Sequence, residues 1–442
     1  MRVKSPRLII PCIAVAVLAS MIAYSRPVDK YPGKTLVRIG FPRHGYLSLE
    51  QAWNDVIEQF EKDNPTIKVV QVESDWNKIA LMTAAKMLPD IYGSNSFNTF
   101  RERLRAEDLT PYIKRDFDEM RFDDFIPELI GDCAYDGKTY MLPHFYNIAL
   151  LYYNADIFEE AGVEPPQDDW TWDDYVEAAG KLAKFDENGK QVRWGTNLVW
   201  GWWEEWLTYV YMCGGDMFTN DWDRCLLDTP EAIRALTYYR DLVLKYNVAP
   251  PKRELARLPF LDEMVAMDWG GHTMNWIGLR SHAKFRWDVA LLPGGPKTRQ
   301  GGERVSATFC LYKHSQHKDE AWKLLKYLTG TDAAKQWCKV GLTPVRTSIA
   351  NNVFLKRNAD GKYDLDPQHR EKAIEAIKYG VNQPIMPAFG EIVLNLYQPM
   401  IERMMLDEMT PEEVARKGTD KANRFLKMMG ISRRELEKEE GI

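Results

Sequence analysis

The segment from Thr35 to Asn95 limits the fold more than any other stretch of this chain. TLVRIGF (Thr35 to Phe41) reads as a buried strand, and Leu49, Trp53, Val56, Ile57 and Phe60 then recur at helical spacing. Ser48-x-x-Gln51 has the form of a capping box for that helix. Asn64-Pro65 stops it, because proline disfavours the α conformation in the residue before it. A strand from Ile67 to Val72 and a helix around Ile79 to Met87 follow. A short strand at Pro89 to Tyr92 then opens into Gly93-Ser94-Asn95-Ser96. Strand, helix, strand, helix, strand is the order of a parallel sheet with covering helices. An α/β fold is expected.

The middle of the chain repeats that logic. Gly137 to Leu142 and Ile148 to Tyr153 read as strands on either side of Pro143-His144-Phe145-Tyr146-Asn147. Thr171-x-x-Asp174 and Thr229-Pro230 each open a helix. Asp288 to Leu292 is a strand ending in the loop signal Pro293-Gly294-Gly295-Pro296. From Asp319 onward the pattern is mainly helical, with Ala321, Trp322, Leu324, Leu325 and Leu328 on one face. Asp186-x-Asn188-Gly189 has too few ligands for a calcium loop and reads as a hairpin turn. At 442 residues the chain has room for two or three domains.

Leu8 to Tyr24 is continuously apolar and follows Arg2, Lys4 and Arg7. With the small pair Ala23-x-Ser25 this makes residues 1–25 a signal peptide cut after about Ser25, or an N-terminal anchor. The remainder is expected to be exported, in the periplasm or on the outer face of the cytoplasmic membrane. Lys plus Arg is 58 against 64 for Asp plus Glu, a net charge of −6 with no long basic run. Nucleic acid is therefore not an expected partner. Five cysteines follow the leader, of which Cys213 and Cys225 are placed to close a loop. No C-x-x-C, P-loop or nucleophile elbow occurs, and His314 and His317, three apart, have no second ligand pair nearby, so no metal, cofactor or catalytic residue is expected. Glu204-Glu205 sits among tryptophans like a glycosidase pair, but adjacent side chains splay apart.

The landmarks, in order, resemble the family 1 extracellular solute-binding proteins of ABC importers, the group that includes maltose-binding protein. The matching pieces include FEKDNPTIKVV (Phe60 to Val70), LPDIYGSNS (Leu88 to Ser96), GKTYMLPHFYNIALLYYNADIFEEAG (Gly137 to Gly162) and TWDDYVEAAGKLA (Thr171 to Ala183). CGGDMF (Cys213 to Phe218), DTPEAIRAL (Asp228 to Leu236), FLDEMVAMDWGG (Phe260 to Gly271) and WDVALLPGGP (Trp287 to Pro296) continue the series. The resemblance implies a periplasmic-binding-protein-like fold: two α/β lobes with mixed sheets around a ligand cleft, and a helix-rich C-terminus. It puts lobe 1 at 35–147 plus about 288–345, and lobe 2 at 148–287 plus about 346–442. The implied function is a non-enzymatic, monomeric receptor that captures a sugar or oligosaccharide and delivers it to an ABC transporter permease. The alternatives are the same role for a non-sugar solute, or a secreted carbohydrate-active enzyme.

Candidate ligand contacts sit at strand ends and in the tryptophan-rich middle. Eight of the 15 Trp fall between Trp170 and Trp222. Trp200, Trp202 and Trp203 straddle a glycine at a strand-to-helix junction, where an indole face suits a pyranose ring. Trp206, beside Leu207 and Val210, reads as core. Phe41, His44, Ser94 and Asn95 follow the first and third strands, and Tyr146 lies at the crossing between lobes. By the resemblance, Trp269, His272 and Trp276 match a glycine-and-aromatic site, and Arg346 after Thr343-Pro344 is a further candidate.

Overall fold

The computed structural model describes residues 31–433 and 436, apart from 43–45, 199, 255–257, 383–385 and 387. The leader segment and His44 lie outside the described residues. Strand β1 (Thr35–Pro42) runs parallel to both β2 (Ile67–Ser74) and β3 (Ile91–Asn95). Helix α1 (Leu47–Asp63) and the shorter α2 (Trp76–Ala84) connect them. The expected capping box on α1 does not form: Tyr46 takes the N-cap position without a side-chain bond, which puts Ser48 inside the helix. Ala52, Trp53, Val56, Ile57 and Phe60 bury the predicted face.

The expected break at Pro143 to Asn147 is absent, because one strand runs through it, while Lys138–Thr139 of the first expected strand pairs with Ala134–Tyr135 in a separate two-stranded sheet. β4 (Leu142–Asn154) is 13 residues long and joins the two halves of a nine-stranded mixed sheet. Its first half pairs antiparallel with β9 (Arg304–Leu311), which pairs in turn with β3. Its second half pairs antiparallel with β7 (Val265–His272) and with β8 (Trp287–Ala290). Beyond β7 come β6 (Gln191–Asn197), parallel to it, and the two-residue edge strand β5 (Lys184–Phe185). The Asp186 turn closes the β5–β6 hairpin as expected, with Gly189 N–H donating to the Asp186 carbonyl at 2.9 Å.

Alternation along β4 divides the interior. Ala149, Leu151 and Tyr153 enter one buried cluster, while Ile148, Leu150 and Tyr152 enter the other. Successive strand side chains point to opposite faces, so Tyr152 and Tyr153 cannot act as a pair. Tyr152 stacks on Trp287 at 6.0 Å and Tyr153 packs against Phe158.

Helices cover both halves. Thr171 and Asp174 complete the expected capping box on α3 (Trp172–Leu182), and Thr229 caps α5 (Pro230–Leu244). Between them lies α4 (Trp203–Met212), and after β7 comes α6 (Asn275–His282). α7 (Lys318–Leu328) and α8 (Thr331–Lys339) pack beside β9 and α1. The C-terminal α9 (Gln398–Met405) and α10 (Pro411–Met428) join the cluster around Trp206 and Leu236. Among the described residues no helix is long and apolar enough to cross a membrane. Cys213 and Cys225 are not joined; the Cys225 thiol lies 3.4 Å from the Tyr397 hydroxyl instead.

Candidate ligand cleft

Two strand irregularities aim side chains into a cleft beside the crossing strand. On β4, Phe145 faces Ala307 and Pro143 faces Thr308, so His144 is the extra residue of a bulge. Its ring lies over Phe309 at 4.2 Å. On β7, Gly271 faces Leu150 and Trp269 faces Leu151, which makes Gly270 the extra residue. Gly270 has φ +77°, a left-handed conformation that favours glycine, and His272 follows at the strand end.

One cavity of ≈ 260 Å³ is walled by Phe41, Tyr46, Trp53, Phe97, Phe145, Phe309 and Trp337, with Ser94, Asn95 and Asn147 among its polar groups. Trp53 stacks on Trp337 at 5.4 Å and meets Phe41 at 4.2 Å. A second cavity of ≈ 230 Å³ is lined by Trp202, Trp269, Asn197, Glu205, Asp268 and Asn275. Glu204, His272 and Glu303 line both and form the partition. They come from the first turn of α4, the end of β7 and the approach to β9. No Lys or Arg lines either cavity among the described residues.

His272 Nε2 lies 3.2 Å from Glu204 Oε2 and 3.1 Å from Glu303 Oε2. Burial opposes a charged imidazole here, but the bonds to both carboxylates prevail and push it up to about 10. Burial raises Glu303 to about 7 against the pull of His272. Glu204 goes the other way: burial opposes its charge, yet the bond from His272 and a further one from Trp202 hold it below the usual carboxylate range. The three donor atoms lie within 4.8 Å of one another, a spacing compatible with metal ligation. In this structure the imidazole bonds to both carboxylates.

This cluster sets a pH dependence. A histidine raised from 6.5 to about 10 contributes stability that is complete below 6.5 and lost as pH rises through about 10. Glu303, raised from 4.5 to about 7, also makes the folded state less stable as it ionises across that lower window. Melting temperature is therefore expected to fall from pH 7 to pH 10 in the native chain, and to fall less in His272→Gln. Parallel pH slopes in the two proteins would show that the imidazole is not charged there.

Phe41, Ser94, Asn95, Trp202, Trp269 and His272 reach the cavities. Ser94 is already committed, donating to Glu102 Oε1 at 2.6 Å. Trp202 is 37% exposed, whereas Trp200 is buried and donates from Nε1 to the Pro250 carbonyl. Gly201 between them has φ +75° and turns the two indoles apart. Trp203 packs edge-on to Phe389 outside both cavities. Three further candidates are structural. Tyr146 is fully buried and donates to the Ala373 carbonyl at 3.0 Å. Trp276 stacks on Phe354, and Arg346 is buried among backbone carbonyls of residues 120, 121 and 329.

The cavities are also lined by Glu303, His144, Asn147, Asp268, Asn197, Trp53 and Trp337, none of them a candidate from the sequence, and by Glu204, weighed there only as a catalytic pair with Glu205. Trp53 was hidden because one side chain serves both core and cleft: it sits on the apolar face of α1 and is 5% exposed. Glu204 was visible as an acid among tryptophans, but its partners lie 68 and 99 residues away in sequence, at His272 and Glu303.

The chain resembles known proteins along most of its length. Residues 46–335 match the family model for bacterial extracellular solute-binding proteins. A Brucella abortus protein described as a binding protein is 25% identical over 395 residues, covering 85% of this chain and 90% of its own length. The arabinooligosaccharide-binding protein of Halalkalibacterium halodurans is 24% identical over 317 residues, 68% of this chain and 69% of its own. Among solved structures, the ABC substrate-binding protein of Listeria monocytogenes in complex with cycloalternan superposes with a TM-score of 0.75 at 25% identity. That match covers 90% of this chain and all of the other. The two-lobed α/β fold and the extent of the match place this chain among the bacterial extracellular solute-binding proteins.

Proposed function

We propose that this chain is an exported receptor that captures a sugar or oligosaccharide in the cleft and passes it to the permease of an ABC importer. One observation carries the sugar reading: aromatic faces and convergent polar groups share a single cleft beside the strand that joins the two half-sheets. Indole and phenyl faces cover the C–H side of a pyranose while carboxylates and amides take its hydroxyls. Relatives named for arabinooligosaccharide and cycloalternan support the same class. The role is binding without turnover. Glu204 and Glu303 both grip one imidazolium, so neither stands free as an acid or a nucleophile across a scissile bond.

In this reading lobe 1 comprises 35–147 plus about 288–345, lobe 2 comprises 148–287 plus about 346–442, and the receptor works as a monomer. The two lobes close on ligand because the ligand touches both. Small-angle scattering should then give a smaller radius of gyration at saturating ligand. An unchanged profile with binding established by titration would contradict closure.

A thermal-shift screen of mono- and oligosaccharides tests the class directly, since a ligand that binds only the folded state raises the melting temperature by mass action. At least one sugar should give a saturable rise. A screen in which polyol phosphates or peptides stabilise the protein and no sugar does would overturn the sugar reading.

A further inference from the structure

Trp222 is a strained, buried aromatic that lines neither cavity. Its φ of +58° lies in the left-handed region, where a bulky side chain is an outlier and glycine or asparagine the usual occupant. It sits at the tip of a loop that Phe218 and Cys225 close by an antiparallel bridge. The Trp222 N–H donates to the Thr219 carbonyl at 3.0 Å, and Thr219 Oγ1 donates to Asp223 Oδ1 at 2.6 Å. The Cys225 N–H donates to the Asn423 side chain on α10 at 2.8 Å, which fastens the loop to lobe 2. Loops ordinarily run over the surface, yet this indole is only 8% exposed.

The ring that covers it belongs to the other lobe. Phe100 meets the indole edge-on at 4.8 Å and is itself 2% exposed. Tyr135 packs edge-on to Phe100 at 5.2 Å, and the Arg103 guanidinium covers the Phe100 ring at 3.5 Å. From the C-terminal segment, Arg433 reaches the Tyr135 ring at 5.2 Å, and its backbone N–H donates to the Asp221 carbonyl beside the tip. Phe100 lies in the helical turns Ser96–Asn98 and Thr99–Glu102, which follow directly on Asn95. Asn95 and Phe97 line the first cavity, so one short segment runs from the cleft to this contact. Neither Phe100 nor Trp222 is on the crossing strand β4, and a rotation that opens the cleft draws one ring away from the other.

We propose that Trp222 is a latch between the lobes, a positioning residue whose ring against Phe100 favours the closed cleft and raises affinity without touching ligand. The inference rests on the two-lobe receptor reading. Backbone strain of this kind persists only where the surroundings over-determine it, and it recurs at switch regions. Here the tip carries a ring where the backbone would suit glycine, and the apolar area turned toward Phe100 leaves water when the lobes meet. The edge-to-face arrangement adds to that burial through the ring quadrupoles. A ligand that binds the closed form draws on the population the latch maintains. Its apparent affinity falls in proportion when the latch is lost.

The test needs no sugar. Nitroxide labels at Lys62→Cys on α1 and Lys245→Cys after α5, both exposed and assigned to opposite lobes, report the lobe spacing by double electron–electron resonance. The ligand-free chain should show a component at the separation of this structure, and Trp222→Gly should shrink it severalfold. Glycine suits φ +58°, so the loop should keep its backbone, and the protein its melting temperature, while the ring is lost. Phe100→Leu should shrink the same component, and the double variant should shrink it no further. Trp222→Phe should retain part of it. A folded Trp222→Gly with an unchanged distribution would overturn the latch. Independent, additive effects of the two single substitutions would also overturn it, as would a native chain with no component at the closed separation. If the latch fails but sugars from the thermal screen still draw the lobes together, the receptor reading stands. A single distance that neither substitution nor those sugars move would count against lobe closure itself.

Discussion

Arg346→Ala is expected to lower folding stability by about 3–5 kcal/mol, the cost of stripping the partner from a buried charge, while sugar affinity of the folded protein hardly changes. The guanidinium is fully buried. Its Nε donates to the Thr329 carbonyl at 2.7 Å, and its two terminal nitrogens donate to the carbonyls of residues 121 and 120 at 3.0 Å. Asp124 lies 3.6 Å away and also accepts from the backbone N–H and hydroxyl of Ser348. The Phe125 ring covers the cation at 3.9 Å. Burial lowers the guanidinium to about 10, which still leaves it charged at neutral pH. Truncation would orphan three carbonyls and leave Asp124 without its cation. Urea melts of the two proteins measure the difference. A stable Arg346→Ala that binds sugar weakly would return this residue to the binding site.

Trp206→Ala and Trp202→Ala are expected to fail in opposite ways. Trp206 is fully buried and packs against Tyr397 of the C-terminal segment. Its truncation should cost about 3–5 kcal/mol of stability, as for other large-to-small core changes. Trp202 is 37% exposed on the cavity wall. If roughly 60–100 Å² of apolar area on indole and sugar leaves water there, burial contributes about 1.5–2.5 kcal/mol at about 25 cal/mol per Å². Binding should then weaken by roughly 10- to 70-fold, at about 1.4 kcal/mol per tenfold. The ligand-free melting temperature of Trp202→Ala should stay near that of the native chain. A Trp202→Ala protein with full affinity would move the sugar platform elsewhere, toward Trp53 and Trp337.

Legibility followed sequence distance. β1 to β3 and α1 were readable because period-two and helical patterns are local, and so were the caps at Thr171 and Thr229. The single strand across Pro143 was not. A proline inside a run reads as an interruption, and only pairing with β9 shows that a bulge at His144 absorbs it. The same limit governs the cleft. Phe41, Asn95 and Trp202 were found at strand ends and a junction, where loops meet a cavity. Tyr146, Trp276 and Arg346 carry equally suggestive side chains, yet packing partners up to 227 residues away decide their roles. The Glu204–His272–Glu303 cluster has no motif at all, since each member comes from a different element.

In the proposed complex a sugar occupies the cleft lined by Trp202 and the Glu204–His272–Glu303 cluster. Calorimetric titration of the most stabilising oligosaccharide from the thermal screen, run side by side on the native chain and Trp202→Ala, tests it most directly. A single saturable site per chain is expected, with affinity weakened roughly 10- to 70-fold in the variant at an unchanged melting temperature. Saturable binding that is identical in both proteins, or no saturable heat with any sugar, would contradict it.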